Sequence, residues 1–355
     1  IDVKTAPNVT GRIHLETDPE NYTWGDTSTV TPAGQGGVKR GTRFSILEAW
    51  LAYTGSGLLG VPAGIKVGHM PVVVGEGTFF DHRRYGDDAI LLYLEPAKGT
   101  EINLVTAKLF ENTATDNTDD IDLYSLMLTP KLDKDNTIGL NYSMVNSRDI
   151  NSVISAGTLT YTAPATYADA KANLQNVGLF AKGKISDIGY RATADFQFGK
   201  IKDITGPVTD LKFRGWGVTL GANYKLDPVT LRANFIYGSG DDDADNKIEQ
   251  FMTFPATVID PNIPTVVYNY RVVTAAGAIG TGISNTTAYN LGVDYSPVKD
   301  LRLALDYWLL RASKKIADDV SKKVGSELDL KVTYKLSRNL TYFINSGILF
   351  SGKMY

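Results

Sequence analysis

Polar and apolar residues alternate along most of this chain with a period of two, the spacing of a strand with one apolar and one polar face. Over residues 188–198 the apolar phase is Ile188, Tyr190, Ala192, Ala194, Phe196 and Phe198, with Gly189, Arg191, Thr193, Asp195 and Gln197 between them. Trp216, Val218, Leu220, Ala222 and Tyr224 repeat the pattern, as do Val229, Leu231, Ala233, Phe235 and Tyr237. Further copies lie at 289–295, 301–309 and 328–336, with fainter ones at 11–15, 47–53, 138–144 and 177–183. Together with 340–350 the pattern predicts about fifteen strands, an odd count that leaves Tyr355 on the long-loop side. Single-chain barrels close with even numbers, so roughly 16 to 18 strands are expected.

Alternation alone also suits a soluble sandwich. The connections separate the two. Short links at 132–136, 185–187, 226–228, 297–300 and 337–339 alternate with long ones at about 17–41, 75–88, 147–173, 240–285 and 312–325. Tight turns at one end and long loops at the other characterise a transmembrane barrel, with the turns periplasmic and the loops extracellular. A sandwich has no reason to keep that parity. The fold class predicted is all-β, one transmembrane antiparallel β-barrel over residues 1–355, in the bacterial outer membrane.

Composition narrows the alternatives. Hydrophobic residues make up 43% of the 355 and charged residues 21%, and no stretch approaches the roughly 18 to 20 apolar residues of a membrane helix. Cysteine is absent, which removes thiolate chemistry, while 19 Tyr and 34 Gly suit aromatic girdles and tight turns. A net charge of -3 argues against nucleic acid as a partner. The start at Ile1-Asp2-Val3 reads as a trimmed, exported one. Aromatics fall at strand ends: Tyr190, Tyr295, Tyr334 and Tyr342 toward the short turns, and Phe198, Tyr237, Tyr289 and Tyr307 toward the loops.

The polar phase supplies candidate chemistry. Arg12, Lys66, Arg191, Arg232, Arg302 and Lys331 fall on it and are expected to line the lumen wall, where basic groups concentrate anions. Between residues 75 and 88, glycines alternate with charge. Asp81, Arg83, Arg84, Asp87 and Asp88 there would form a constriction if that stretch folds inward, opposing acids to bases across an eyelet. The alternative is an exposed loop with weak ion pairs. Asp241, Asp243 and Asp245 resemble the start of a calcium loop, but Asn246 and Met252 stand where Gly and Glu belong, so a solvated acidic turn is expected. Only His14, His69 and His82 could act as imidazole bases, and no hydrolase, zinc or phosphate-loop motif occurs. No enzyme and no cofactor are predicted.

Two of these segments carry a resemblance. A strand ending VGHM (67–70), a GEG loop (75–77) and RRYGDDA (83–89) re-entering a strand look like the alginate-export type of outer-membrane porin. So do YGSGDDDADN (237–246) followed by QFMTFP (250–255), and the closing hairpin YKLSRNLTYFINSGILFSG (334–352). The resemblance implies a monomeric barrel whose arginine-rich lumen passes an acidic polysaccharide. His69 stands where that family carries arginine. Expected partners are small hydrophilic or anionic solutes, the lipid bilayer with its lipopolysaccharide, and a periplasmic or outer-membrane protein if the barrel serves as a docking sleeve. A diffusion channel is the leading reading, a structural sleeve the second and an outer-membrane hydrolase the third.

Overall fold

The computed structural model describes residues 1–17, 44–58, 60–111, 120–148, 170–204, 210–241, 245–255, 263–268, 282–315 and 320–354. Within them lie nineteen strands. They are β1 (Asp2–Ala6), β2 (Val9–Thr17), β3 (Phe44–Leu58), β4 (Val61–Val74), β5 (Phe80–Ala97), β6 (Thr100–Phe110), β7 (Ile121–Pro130), β8 (Thr137–Ser147), β9 (Lys171–Ile185) and β10 (Ile188–Lys202). There follow β11 (Leu211–Phe213), β12 (Trp216–Leu226), β13 (Val229–Gly238), β14 (Lys247–Ile248), β15 (Phe254–Pro255), β16 (Thr286–Val298), β17 (Leu301–Ala312), β18 (Lys323–Ser337) and β19 (Leu340–Ser351). Three of them, β11, β14 and β15, have only two or three residues; the other sixteen pair antiparallel, each with the next along the chain. Among the described residues β1 and β19 are the outer members of this curled wall.

The wall is inverted relative to a soluble protein. Leu51, Leu179, Phe196, Leu220, Leu291 and Leu330 stand exposed, while Ser143, Asn176, Thr219, Asn290, Glu327 and Asp329 are buried. Water would not tolerate so continuous an apolar surface, but a bilayer's hydrocarbon requires it. On β12 the exposed belt runs from Trp216 to Tyr224, nine residues whose eight steps at a ~40° tilt span roughly 20 Å, close to the apolar height of such barrels. Tyr289 and Tyr295 bracket Leu291 and Val293 in the same way on β16. All-β architecture and the alternation of short and long connections are therefore as expected.

Two details differ from the sequence reading. The sixteenth wall strand is β1, whose five residues are too few for alternation to register, and it pairs with β2 from Asp2 opposite Arg12 to Ala6 opposite Val9. The loop expected over 75–88 is only 75–79, because β5 begins at Phe80 and pairs with β4 as far as Val74. Polar residues such as Asp81 and His82 continue a strand there because the wall rises above the hydrocarbon, where alternation is no longer imposed. The expected loop 17–41 lies outside the described residues except for Thr17, which ends β2. That at 147–173 ends where β9 begins, that at 240–285 contains β14 and β15, and that at 312–325 shortens to 313–322.

The short turns are tied locally. In 131–136, Asp133 Oδ1 accepts the backbone N–H groups of Asp135 (2.7 Å) and Asn136 (2.8 Å), a side-chain-closed turn. The Asn136 amide and those backbone donors hold the Asp133 carboxyl below the usual carboxylate range.

Replacing Leu291, exposed at mid-belt, by Arg should lower stability by about 2–4 kcal/mol, whereas Leu336→Arg near the short turns should cost about 0–1 kcal/mol. Urea titration of the folded, heat-modifiable band in lipid vesicles measures both. Equal costs at the two positions would contradict a lipid-facing belt.

Candidate functional site

The five residues between β4 and β5 turn into the barrel. Gly75 (φ 57°) and Gly77 (φ 81°) adopt left-handed conformations that a side chain would strain, and the Gly77 N–H donates to the Val74 carbonyl at 3.0 Å. This tight reversal aims Glu76 and Thr78 across the interior. The Lys182 ammonium on β9 donates to Glu76 Oε1 at 2.7 Å. Thr78 Oγ1 lies 3.0 Å from Thr193 Oγ1 on β10, which lies 2.8 Å from Thr219 Oγ1 on β12. At least three wall strands separate these partners along the sheet, so the contacts span the lumen. Phe79 and Phe80 are completely buried.

A second segment, 245–255, meets the first. The Gln197 side chain of β10 clamps its backbone, donating to the Met252 carbonyl (2.7 Å) and accepting the Met252 N–H (2.8 Å). The Phe254 N–H donates to the Phe79 carbonyl at 2.9 Å, and β15 lies parallel to the start of β5. The Phe254 ring packs edge-on to Phe79 at 5.6 Å. At the segment's start Asp245 pairs with the Lys247 ammonium, which holds that carboxyl below its ordinary range. Asp243 of the acidic turn lies outside the described residues, which contain no metal-binding cluster.

Residues 263–268 dock on β18. Buried Glu327 accepts the N–H groups of Val266 (2.8 Å) and Val267 (2.6 Å) on Oε1 and that of Tyr268 (2.8 Å) on Oε2. Lys331 donates to the Pro264 carbonyl at 2.7 Å. Three separated parts of the wall (the start of β5, the strands β9 to β12, and β18) thus hold three inward stretches, 75–79, 245–255 and 263–268. Phe79, Phe80, Ile248, Phe251, Met252 and Ile263 form the apolar interior of this constriction.

The wall below it carries charge of unequal exposure. Arg232 bridges Asp294 (2.9 Å) and Asp306 (2.8 Å), and Arg302 also pairs with Asp294 (2.8 Å). Arg12 joins Asp2 (2.6 Å) and Glu48 (3.4 Å), and the Lys66 ammonium sits 3.8 Å over the Trp50 ring. Glu48, Asp195, Asp294, Asp306, Glu327 and Asp329 are all less than 10% exposed. By contrast the side chains of Arg12, Lys182 and Arg302 remain 43%, 51% and 54% exposed. Arg191 is exposed too. These six acids sink into the wall while these bases extend from it, although Asp2 beside Arg12 is itself exposed.

The five residues expected at a charged eyelet all lie on β5 and do not form one ring. Met70 pairs with Asp87 and Val72 with His82, so residues 83–86 bow out opposite Pro71, which has no N–H to offer. Asp81 pairs with Arg83 at 2.7 Å, Arg84 with Glu16 at 3.5 Å, and Asp87 with His82 at 2.9 Å. Asp88 shares the outward phase of Ile90 and bonds His69 at 2.9 Å. The residues that do converge, Thr78, Gln197, Phe254 and Glu327, left little trace in sequence. The signals were the QFMTFP stretch and the place of Gln197 in the polar phase of residues 188–198.

Glu327→Ala would leave three backbone donors, one buried and two partly buried, without an acceptor, the buried one costing on the order of 1–3 kcal/mol. Limited proteolysis should then cut 263–268 at least about 10-fold faster while the wall stays folded, a change of ~1.4 kcal/mol in the docking equilibrium. Unchanged cutting would mean that Glu327 does not anchor the segment.

The family model described as Alginate export matches residues 26–355. No curated protein sequence matches the chain. The structure is similar to OccK11 (OpdR) of Pseudomonas aeruginosa, at 15% identity and a TM-score of 0.49 over 87% of this chain and 78% of that one. It is also similar to a BenF-like porin from Pseudomonas fluorescens Pf-5, at 14% identity and a TM-score of 0.49 over 85% and 72% of the two chains. The similarity to OccK10 (OpdN) of Pseudomonas aeruginosa, at 11% identity and a TM-score of 0.48, extends over 98% and 85%.

Proposed function

The chain belongs to the alginate export family and is a porin-like channel of the bacterial outer membrane, and on that premise we propose that it passes small hydrophilic solutes by diffusion and favours anions, acidic saccharides among them. The unequal exposure of lumen charges carries this reading. A solute in the lumen meets the guanidinium and ammonium groups of Arg12, Lys182, Arg191 and Arg302 before it meets any of the buried carboxylates. In a low-dielectric tube that arrangement gives a positive field and raises the local concentration of anions.

Passage is then set by two elements in series. The basic wall selects by charge, and the constriction of 75–79 with 245–255 and 263–268 selects by size. Lys66 and Lys331 belong to the same wall but are engaged, one over Trp50 and the other on Pro264. Arg83 and Arg84, half-exposed at the extracellular end of β5, extend the positive field toward the entrance. A saccharide carboxylate would move between such sites by exchanging one partner for the next, which requires each contact to be weak and partly hydrated.

Planar-bilayer recordings across a tenfold KCl gradient test the charge element. The wild-type channel should show a reversal potential of anion-selective sign. Arg12→Gln, Lys182→Gln and Arg302→Gln combined should move it toward zero. A cation-selective wild type, or a triple variant with unchanged reversal potential, would overturn the proposal. Gln197→Ala, which releases Met252, should raise single-channel conductance without altering the sign of selectivity.

A further inference from the structure

The outer face carries a concentration of positive charge that transport through the lumen does not use. At the extracellular end of β9, β10 and β11, Lys200 lies directly opposite Lys212, and Lys202 directly opposite Lys171. These residues point outward: Ile201, Leu211 and Phe213, of the opposite phase, are buried, and Phe196 and Phe198, of the same phase, are exposed. Arg214, two residues beyond Lys212, continues the row. Like charges directly opposite each other on one sheet face destabilise the pair, and here it happens twice on adjoining strands. Asp210, 3.4 Å from Lys200, is the one acid paired with any of these five cations among the described residues.

The level of the cluster is defined by its neighbours. Phe196 and Phe198 end the apolar belt of β10, and Lys200 follows about 7 Å further along the strand. Beside them runs an outward ladder of polar side chains: Tyr142 donates to Gln175 (2.8 Å), Gln175 to Asn173 (2.6 Å) and Asn173 to Asn146 (2.6 Å). Such groups belong where acyl chains give way to headgroups. Lys200, Lys202, Lys212 and Arg214 line a groove of about 530 Å³ with Asn173, Gln175 and Phe198 at its floor and side.

We propose that Lys171, Lys200, Lys202, Lys212 and Arg214 form a site on the outer face for the phosphate groups of the outer-leaflet glycolipid, lipopolysaccharide. Its acyl chains lie along Phe196 and Phe198, and its phosphates enter the groove directly above. A ligand with several negative charges converts two repulsive cross-strand pairs into shared contacts, each ammonium acting as a point donor to a phosphate oxygen. The amide ladder supplies neutral donors and acceptors for the sugar that bears the phosphates.

The test uses the folded barrel in detergent, incubated with purified lipopolysaccharide, passed through gel filtration at moderate salt and assayed for bound lipid. The wild type should retain lipopolysaccharide, and Lys200→Glu, Lys202→Glu and Lys212→Glu combined should retain about 10-fold less. A control with Lys134→Glu, Lys184→Glu and Lys335→Glu, at the short-turn end, should match the wild type. If the first variant does not fold, the corresponding glutamine variant and the fall in wild-type retention with rising salt give the same reading. Equal retention of enzymatically dephosphorylated lipopolysaccharide would overturn the proposal, as would an equal loss in the control. Displacement by inorganic phosphate at low concentration would identify a free-anion site and overturn it as well.

Discussion

Inside a bilayer there is no water to satisfy a backbone amide, so each N–H and C=O at that depth must find its partner within the protein. The ladder of antiparallel pairing meets that requirement for the wall strands between β1 and β19, and the remaining features are arranged around it. Once strands must pair side by side, period-two geometry sends alternate residues to opposite faces, one toward lipid and one toward the lumen. The exposed Leu291 and the buried Asn290 beside it are one consequence read on two faces.

A lumen packed with polar side chains has its own difficulty, since charge buried in a wall must be paired or neutralised. Arg232 answers it by serving Asp294 and Asp306 together, and Glu327 by collecting three backbone donors. Carboxylates are short and are satisfied close to the backbone, whereas lysine and arginine carry their charge on long stems. The positive field proposed for the lumen would therefore follow partly from side-chain length, with nearly balanced numbers of acids and bases in the chain. Net charge, -3 for the whole chain, conceals it.

Much of the wall was legible in sequence because hydrocarbon imposes a strict rule on alternate residues. Strands such as Trp216–Leu226 obey it over their full height. Legibility fails where the rule lapses. β5 continues through Asp81, His82 and Arg83 above the membrane, where a polar residue is as acceptable outward as inward, so that stretch resembled a loop. β1 is too short to display a period. The basic phase of the lumen could be read strand by strand, but which cations stay exposed could not, because that depends on partners 60 or more residues away, as for Arg232 and Asp294. The constriction was least visible, since Gln197 reaches Met252 and Thr78 reaches Thr193 only after the sheet has curled.

The anchors for residues 245–255 and 263–268 (the Phe79 carbonyl, the Gln197 amide and the Glu327 carboxylate) come from β4–β5, β10 and β18, which approach one another only when the sheet has rolled up. Until then these residues have no surface to rest on. Their docking requires the rolled sheet, because their anchors lie on strands far apart in the sequence. The Phe254 N–H, bonded to the Phe79 carbonyl, ties residues 245–255 to the reversal at 75–79. A solute or a pulling force at either one is felt by both.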